Sequence, residues 1–529
     1  MRQIGFKNFR KFENFPVIDL SPITIFVGEN NAGKSTVVKA ILSIMDFFKS
    51  SVFDDFPSET FSNEDYFEKA KEQLLNRFFY FNKNYFAHIG TFSRAKNNKS
   101  DDNKITFIIT IDNFTYEIVV EGDGNDKEAV NAKVIFVKIH KAEYNIDYEF
   151  DMKNKKMSYI FHPGLSKLYM KDEQDDDEEN DEEEGKDDFS NRYRMFNKNR
   201  RIILEGYNSF ANSFSKDMVI TTDLTWGKMH SFSGQYIDNL LHGASRRILA
   251  TLKTEDEIKS PLDSDEYDDN DVIQGLSDET MNFLLNNAKI IKEIVREDTF
   301  NISMYTRLNV EYFYAHAVTP MVIYSAKDTN DYIVKTIHEF SNAKIKKDSK
   351  ADKFIRKWMD VFGIGKNYNI ISVGGEAHLV KITNKDGDSV NLSDKGMGSI
   401  QLMVLLFKIA TLLGKRMSKN ANIIIEEPEQ NLHPMLQSKL ADLFYELNKN
   451  YGFRFIIETH SEYLVRRSQV IVSENFNDEK KIKDNPYKVY YFPSEGIPYE
   501  VRYRSNGRFE NDFGKGFFDE AANLTFKLF

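Results

Sequence analysis

The chain has 529 residues, 41 % of them apolar, and a formal net charge of −11. That length holds roughly two to four domain-sized units, and the acidic balance excludes a polyanion-binding surface over the whole chain. The absence of cysteine excludes disulfides, cysteine-ligated zinc, iron–sulfur clusters and thiol catalysis. No apolar run reaches the length of about 18 residues that a membrane span needs, so no span is expected. Met1 to Lys7 lacks the apolar stretch of a signal peptide, and the expected compartment is the cytoplasm.

In chain order, Ile4 to Phe12 alternates as a strand does, and the run from Ile18 ends in the apolar Ile23-Thr24-Ile25-Phe26-Val27. Residues 28–36 follow as Gly-Glu-Asn-Asn-Ala-Gly-Lys-Ser-Thr, a complete G-x-x-x-x-G-K-[ST] pattern, and Val37 to Leu42 opens a helix. Strand, glycine loop and helix N-terminus together cradle phosphate with backbone amides. Asn30, Asn31, Gly33, Lys34, Ser35 and Thr36 are assigned to the nucleotide. Lys34 reaches the β/γ-phosphates and Ser35 offers its hydroxyl to Mg²⁺.

The spacing of Tyr66, Phe67, Ala70, Leu74, Leu75 and Phe78 predicts a helix over 63–80. Lys104 to Ile111 and Phe114 to Val120 predict a hairpin turning at Asp112-Asn113, with further strands at 133–140 and 147–161. Asp172 to Asp188 is a dense acidic tract that reads as a solvated loop. Basic Arg192, Arg194, Lys198, Arg200 and Arg201 follow it, and a second acidic patch spans Asp263 to Asp271. Helical patterns return at 277–296 and 330–360, without sustained heptads.

From Asn369 the pattern is again strand-like, with a hairpin around Lys385-Asp386-Gly387. Leu392-Ser393-Asp394-Lys395-Gly396-Met397-Gly398-Ser399 precedes a buried helix over 399–413, another candidate anion-binding helix start. Ile423-Ile424-Ile425 is a buried strand that ends in Glu426-Glu427-Pro428, and Met435 to Leu447 is an amphipathic helix. Phe453 to Ile457 is a second buried strand, leaving through Glu458-Thr459-His460-Ser461 into a helix over 461–472. This alternation implies a parallel sheet with both faces covered.

Adjacent carboxylates at a strand end suit nucleotide hydrolysis. One holds the metal shell and the other orients or deprotonates water. Glu426 is assigned to the metal and Glu427 to the water. The common first residue is Asp, and a bridging water fits the extra methylene of Glu426. His460, at the exit of the next strand, is placed to hydrogen-bond the γ-phosphate and sense hydrolysis. The catalytic set is therefore Glu427, His460 and Lys34, the metal set Ser35 and Glu426, and the cofactors ATP and Mg²⁺.

The ordered set resembles the ABC-type ATPase heads of the RecF/SMC/Rad50 group, and within it the bacterial OLD-like ATPases of AAA_15/DUF3696 type. The carrying residues are Asn8 to Phe12, the 28–36 loop, Gly396 to Gln401, Glu426 to Pro434 and Glu458 to Ser461, with Gly514 to Asp519 resembling the tail of such proteins. The resemblance implies an α/β, RecF/SMC-like P-loop head with a mixed α/β insertion and no coiled coil. The head would comprise 1–52 and 369–529, and the inserted lobe 53–368 with the acidic loop 172–188. It implies a signature segment in which Ser393, Gly396, Gly398 and Ser399 face nucleotide, with either Ser393 or Ser399 as the phosphate-contacting serine. The short segment His88 to Ser93 also resembles these ATPases, but has no glutamine for a third metal contact.

The resemblance further implies a homodimer or higher homo-oligomer that sandwiches ATP between phosphate loop and signature. It points to a sensor or regulator in antiphage defence of Septu or PARIS type, acting on a separate nuclease or toxin effector. Pro493-Ser494-Glu495-Gly496 resembles a Toprim start, yet 33 residues after it are too few for that fold, so no nuclease is expected here. The alternative is a RecF-like repair ATPase that binds DNA across its dimer, with Arg192 to Arg201 on the phosphates; nucleic acid thus stays open as a partner. A non-hydrolytic scaffold ranks below both, because Glu427 is the residue type that hydrolysis needs.

Overall fold

The computed structural model describes residues 1–49, 72, 74–83, 87–164, 215–224, 240, 244, 247–252, 273, 276–292, 310–314, 321–325, 331–414, 421–514 and 516–528. The acidic tract 172–188, the basic stretch 192–201 and the patch 263–271 lie outside these residues, as does most of 63–73. In chain order the first elements are β1 (Gln3–Phe9), β2 (Phe12–Asp19), β3 (Ile23–Gly28) and α1 (Lys34–Lys49). Next come β4 (Phe78–Tyr80), α2 (Phe92–Ala95), β5 (Lys104–Ile111), β6 (Phe114–Glu121), β7 (Asn131–Lys141), β8 (Ile146–Asp151), β9 (Lys156–Phe161), β10 (Met218–Asp223) and α3 (Asp278–Asn286). The remainder are β11 (Val310–Tyr314), β12 (Tyr324–Ser325), α4 (Tyr332–Asn342), α5 (Lys350–Val361), β13 (Asn367–Val373), β14 (Ala377–Thr383), β15 (Ser389–Asn391), α6 (Met397–Gly414), β16 (Asn422–Glu426), α7 (Pro434–Tyr451), β17 (Arg454–Glu458), α8 (Glu462–Asn475), β18 (Tyr487–Phe492), β19 (Tyr499–Val501) and α9 (Glu520–Phe526).

The chain packs as two compact units, 1–18 with 39–307, and 19–38 with 308–529. The sequence reading divided it at 52/53 and 368/369 instead. The differences are β1, β2 and α1 from Lys39 onward, which pack with the first unit, and β11, α4 and α5, which pack with the second.

The first unit is built on a nine-stranded sheet of order β10-β9-β8-β7-β6-β5-β1-β2, with β4 on β7. The expected hairpin is β5–β6, and Asp112 takes the positive φ of its tight turn at 50°. The span 147–161 divides into β8 and β9. The helix expected over 63–80 is corrected at its C-terminal end, where Phe78–Tyr80 is a strand pairing with β7. Aromatic residues serve either state, and the stretch Asn131 to Lys133 of β7, beyond the reach of β8, decides. Much of the aromatic content is core: Phe6 stacks on Phe15 at 4.4 Å, and Phe9 meets Phe107 edge-on at 5.2 Å.

Asp147 on β8 is a buried anion in this unit. It accepts from His140 Nδ1 at 2.6 Å and His162 Nε2 at 2.8 Å, and pairs with Lys138 Nζ at 2.6 Å. Burial by itself would raise the carboxyl, but the bonds from His140, Lys138 and His162 outweigh it and hold it well below the usual carboxylate range. Burial would likewise lower His162, and its bonds to Asp147 and Asp217 raise it. The Asp147 contribution is thus present above the unfolded carboxyl pKa of about 4 and lost as pH falls through the folded value. The His162 contribution is present below about 6.5 and lost as pH rises through its raised value. Asp147→Asn is expected to cost about 2 kcal/mol at pH 6, less than a fully buried case because the cations are 24–31 % exposed. Chemical denaturation measures it, and an unchanged midpoint would mean that solvent already screens the cluster.

The second unit carries a six-stranded sheet of order β11-β16-β17-β3-β18-β19. All neighbours are parallel except β18–β19. β3 is central, and Ile23, Ile25, Phe26 and Val27 are fully buried, which is why it reads as a continuous apolar run. The register sets Gly28 beside Phe492, Phe26 beside Glu458, and Glu458 beside Glu426. The C-terminal strand ends therefore form one row, where ligands bind in sheets of this kind.

α7 starts at His433, whose Nδ1 accepts from the Met435 amide, with Pro434 in its first turn, and ends on Gly452 at φ 70°. α6 is long and apolar enough to cross a membrane by length and composition. Its side chains from Ile400 to Leu412 are instead almost all buried within the unit, with Phe407 stacked on Phe340 of α4 at 4.4 Å. Lys408 on this helix pairs with Glu311 and Glu339 at 2.9 and 3.0 Å. Among the described residues the longest helices have 18 residues, and the unit shows no coiled coil.

Candidate nucleotide site

The phosphate loop leaves β3 at Gly28, whose φ is 139°, and turns again at Asn31 (φ 58°) and Gly33 (φ 104°). A Cβ at position 28 would lie 2.1 Å from the Phe492 carbonyl oxygen. The loop is docked there by the Glu29 amide, which donates to the same oxygen at 3.2 Å. Gly28→Ala therefore strains the backbone and collides with β18 at once. A loss of at least about 3 kcal/mol is expected, read as a lowered melting temperature together with weakened nucleotide binding. Wild-type melting would show that the loop relaxes freely.

Asn30 and Asn31 are exposed on the loop, while Lys34 and Thr36 are buried. The Lys34 ammonium donates to the carbonyls of Gly28 and Glu29 at 3.0 and 2.9 Å. It is thus held under the loop as a preplaced positive charge. Ser35, in the first turn of α1, donates its hydroxyl to Glu458 Oε1 at 2.8 Å.

Glu426 ends β16 in register with Glu458. Glu427, one residue on, has a positive φ of 45°, a strained conformation for glutamate. Its amide donates to the Glu458 carbonyl at 2.7 Å, and its Oε2 accepts from Gln430 Nε2 at 2.7 Å. This fold-back aims Glu427 away from the strand, with Oε1 3.9 Å from His460 Nε2. The structure so brings together Glu427 and His460, which lie 33 positions apart in the sequence. Burial pushes the His460 imidazole down, as does Lys34, while Glu427 opposes them. The ring is neutral at pH 7, able both to donate and to accept.

Two further acids organise this end of the sheet, and the sequence reading gave neither a role. Glu429 is buried, and its Oε1 accepts from the His460 amide at 2.6 Å. It ties the loop after β16 to the loop after β17. Burial raises its carboxyl. Glu458 is 5 % exposed; burial and the neighbouring Glu426 charge push its carboxyl up to about 7 against the Ser35 hydrogen bond and Lys34. The signal for Glu458 was present in the sequence: it closes a buried strand as Glu426 does.

The signature-like segment adjoins the carboxylate loop. Gln401 donates to the Pro428 carbonyl at 3.2 Å, and a Cβ at Gly398 would lie 2.5 Å from the Asn431 carbonyl. Gly396 lies exposed just before α6. The Ser399 amide donates to its carbonyl at 2.9 Å, while the Ser393 hydroxyl reaches Asp394 at 3.4 Å in the preceding 3₁₀ turn. These bonds are local to the turn, so both serines remain candidates for the phosphate contact.

A glycine loop feeding a helix at the central strand of a parallel sheet, with paired carboxylates one strand beyond its neighbour, is the arrangement of a P-loop ATPase site. The family model described as AAA_15, AAA ATPase domain, matches residues 1–465, and the chain belongs to that family. No curated protein matches it. Solved structures similar to it include the SMC head domain from Thermotoga maritima, at 10 % identity and a TM-score of 0.30 over 95 % of this chain and all of that one. Another is the Smc head domain with an extended coiled coil from Pyrococcus furiosus, bound to the C-terminal domain of ScpA, at 11 % and 0.31 over 100 % and 98 %. A third is the Smc head with a coiled coil and joint from Pyrococcus yayanosii, at 10 % and 0.33 over 96 % and 97 %.

Proposed function

We propose that this ATPase hydrolyses ATP with Mg²⁺ in the cytoplasm and uses nucleotide to gate a homodimer or higher homo-oligomer that controls a separate effector, as a sensor or regulator in antiphage defence. The observation that carries the hydrolytic part is the pairing of Glu427 with neutral His460 at the strand ends beside the phosphate loop. Ser35 and Glu426 present only oxygen donors, which fit a hard divalent cation. When bound, Mg²⁺ neutralises charge on the β- and γ-phosphates.

The protein groups have distinct tasks. Lys34 and the loop amides hold the phosphates. Glu427 takes a proton from the attacking water as its oxygen bonds the γ-phosphorus and the bond to the ADP oxygen breaks. His460 hydrogen-bonds the γ-phosphoryl oxygens. Because Glu429 holds the His460 amide, loss of the γ-phosphate is passed directly to the loop that adjoins Gly398 and Gln401. The defence role rests on the resemblance to OLD-like ATPases, an argument by association.

The test uses the purified full chain. Phosphate release should require Mg²⁺ and stop with EDTA, and DNA added alone should remain uncut. Cleavage of DNA by the pure chain would overturn the effector reading. Absence of Mg²⁺-dependent phosphate release from the chain and all its assemblies would overturn the hydrolytic one.

A further inference from the structure

Glu458 is the acid of the nucleotide site whose position asks for a partner. It ends β17, in register with Glu426 on one side and Phe26 of β3 on the other. Its Oε1 accepts the Ser35 hydroxyl at 2.8 Å. Its Oε2 is buried and makes no hydrogen bond among the described residues. A buried carboxylate oxygen without a donor is costly, and native proteins retain one where an ion or ligand completes it. The bond to Ser35 also has a direction. By accepting the hydroxyl hydrogen bond, Glu458 leaves the serine lone pairs turned outward, the orientation that a cation requires.

We propose that Glu458 belongs to the cation site: one oxygen orients the Ser35 hydroxyl and the other completes the oxygen shell of the divalent cation that arrives with ATP. The proposal rests on the ATPase reading and adds to it a third carboxylate, from the strand between β16 and β3. Glu458 is then both a positioning residue for Ser35 and a cation ligand. It does not take the water proton, which stays with Glu427.

Mn²⁺ serves as the probe, titrated by electron paramagnetic resonance against the full chain with a non-hydrolysable ATP analogue. Analogue binding in EDTA is measured in parallel. Glu458→Gln keeps the shape and an oxygen that can accept from Ser35, but loses the anion. Its Mn²⁺ affinity is expected to fall about 10- to 100-fold, with analogue binding in EDTA within about threefold of wild type. Glu427→Gln should leave Mn²⁺ affinity nearly unchanged. If Glu458→Gln melts early, Glu458→Asp decides, since it keeps the charge and shortens the reach. It should weaken Mn²⁺ alone.

Unchanged Mn²⁺ affinity in a folded Glu458 variant overturns the assignment while the ATPase reading stands. Equal loss of analogue binding with and without metal makes Glu458 a structural acid and overturns it too. Failure of the wild-type chain to bind the analogue at all removes both readings.

Discussion

Glu427→Gln is expected to bind ATP almost as tightly as wild type and to hydrolyse it at least 100-fold more slowly, a barrier increase of roughly 3 kcal/mol. The amide has the same shape. Its carbonyl still accepts from Gln430 Nε2, and the backbone bond from the residue 427 amide to the Glu458 carbonyl is untouched. What disappears is the group that can take a proton beside His460. Steady-state phosphate release gives the rate and calorimetry gives the affinity. With hydrolysis blocked, ATP should also shift the chain toward the dimer in sedimentation, since ligand binding to the assembled state draws the equilibrium. Turnover close to wild type would place the base on another residue.

Lys34→Ala is expected to weaken ATP binding by about 100-fold, the roughly 3 kcal/mol at the upper end for a hydrogen bond to a charged group. Lys34 is 3 % exposed and held by two loop carbonyls. The ammonium is therefore ordered before nucleotide arrives, and little entropy is lost when the phosphates bind. The loop itself should keep its shape, because Gly28, Gly33 and the Glu29 amide bond to Phe492 set it. Calorimetry on a variant with a near-native melting temperature is the measurement. Unchanged affinity would remove Lys34 from the phosphate site.

The local structure around the candidate site was legible wherever it resides in a short run of residues. The 28–36 loop, the Glu426-Glu427 strand end, His460 and the alternation of β16, α7, β17 and α8 could all be read directly. The reason is local: a glycine loop needs its glycines at fixed offsets, and a buried parallel strand needs a continuous apolar run. The hairpins at Asp112-Asn113 and Lys385-Asp386-Gly387 were legible for the same reason, because turn chemistry is confined to a few residues.

Non-local pairing was not legible. Phe78–Tyr80 carries a pattern that suits a helix, and only the end of β7 that β8 leaves unpaired makes it a strand. β11 and β18 were missed, and they flank β16 and β3 only once the sheet is assembled. The same limit applied to the site. The sequence by itself singled out Lys34, Ser35, Glu426, Glu427 and His460 as candidates for nucleotide chemistry. Only the tertiary structure decided that Glu458 holds Ser35 and that Glu429 holds the His460 amide. Those contacts join residues 423 and 31 positions apart, and their geometry is set by the register between parallel strands, which no local pattern encodes.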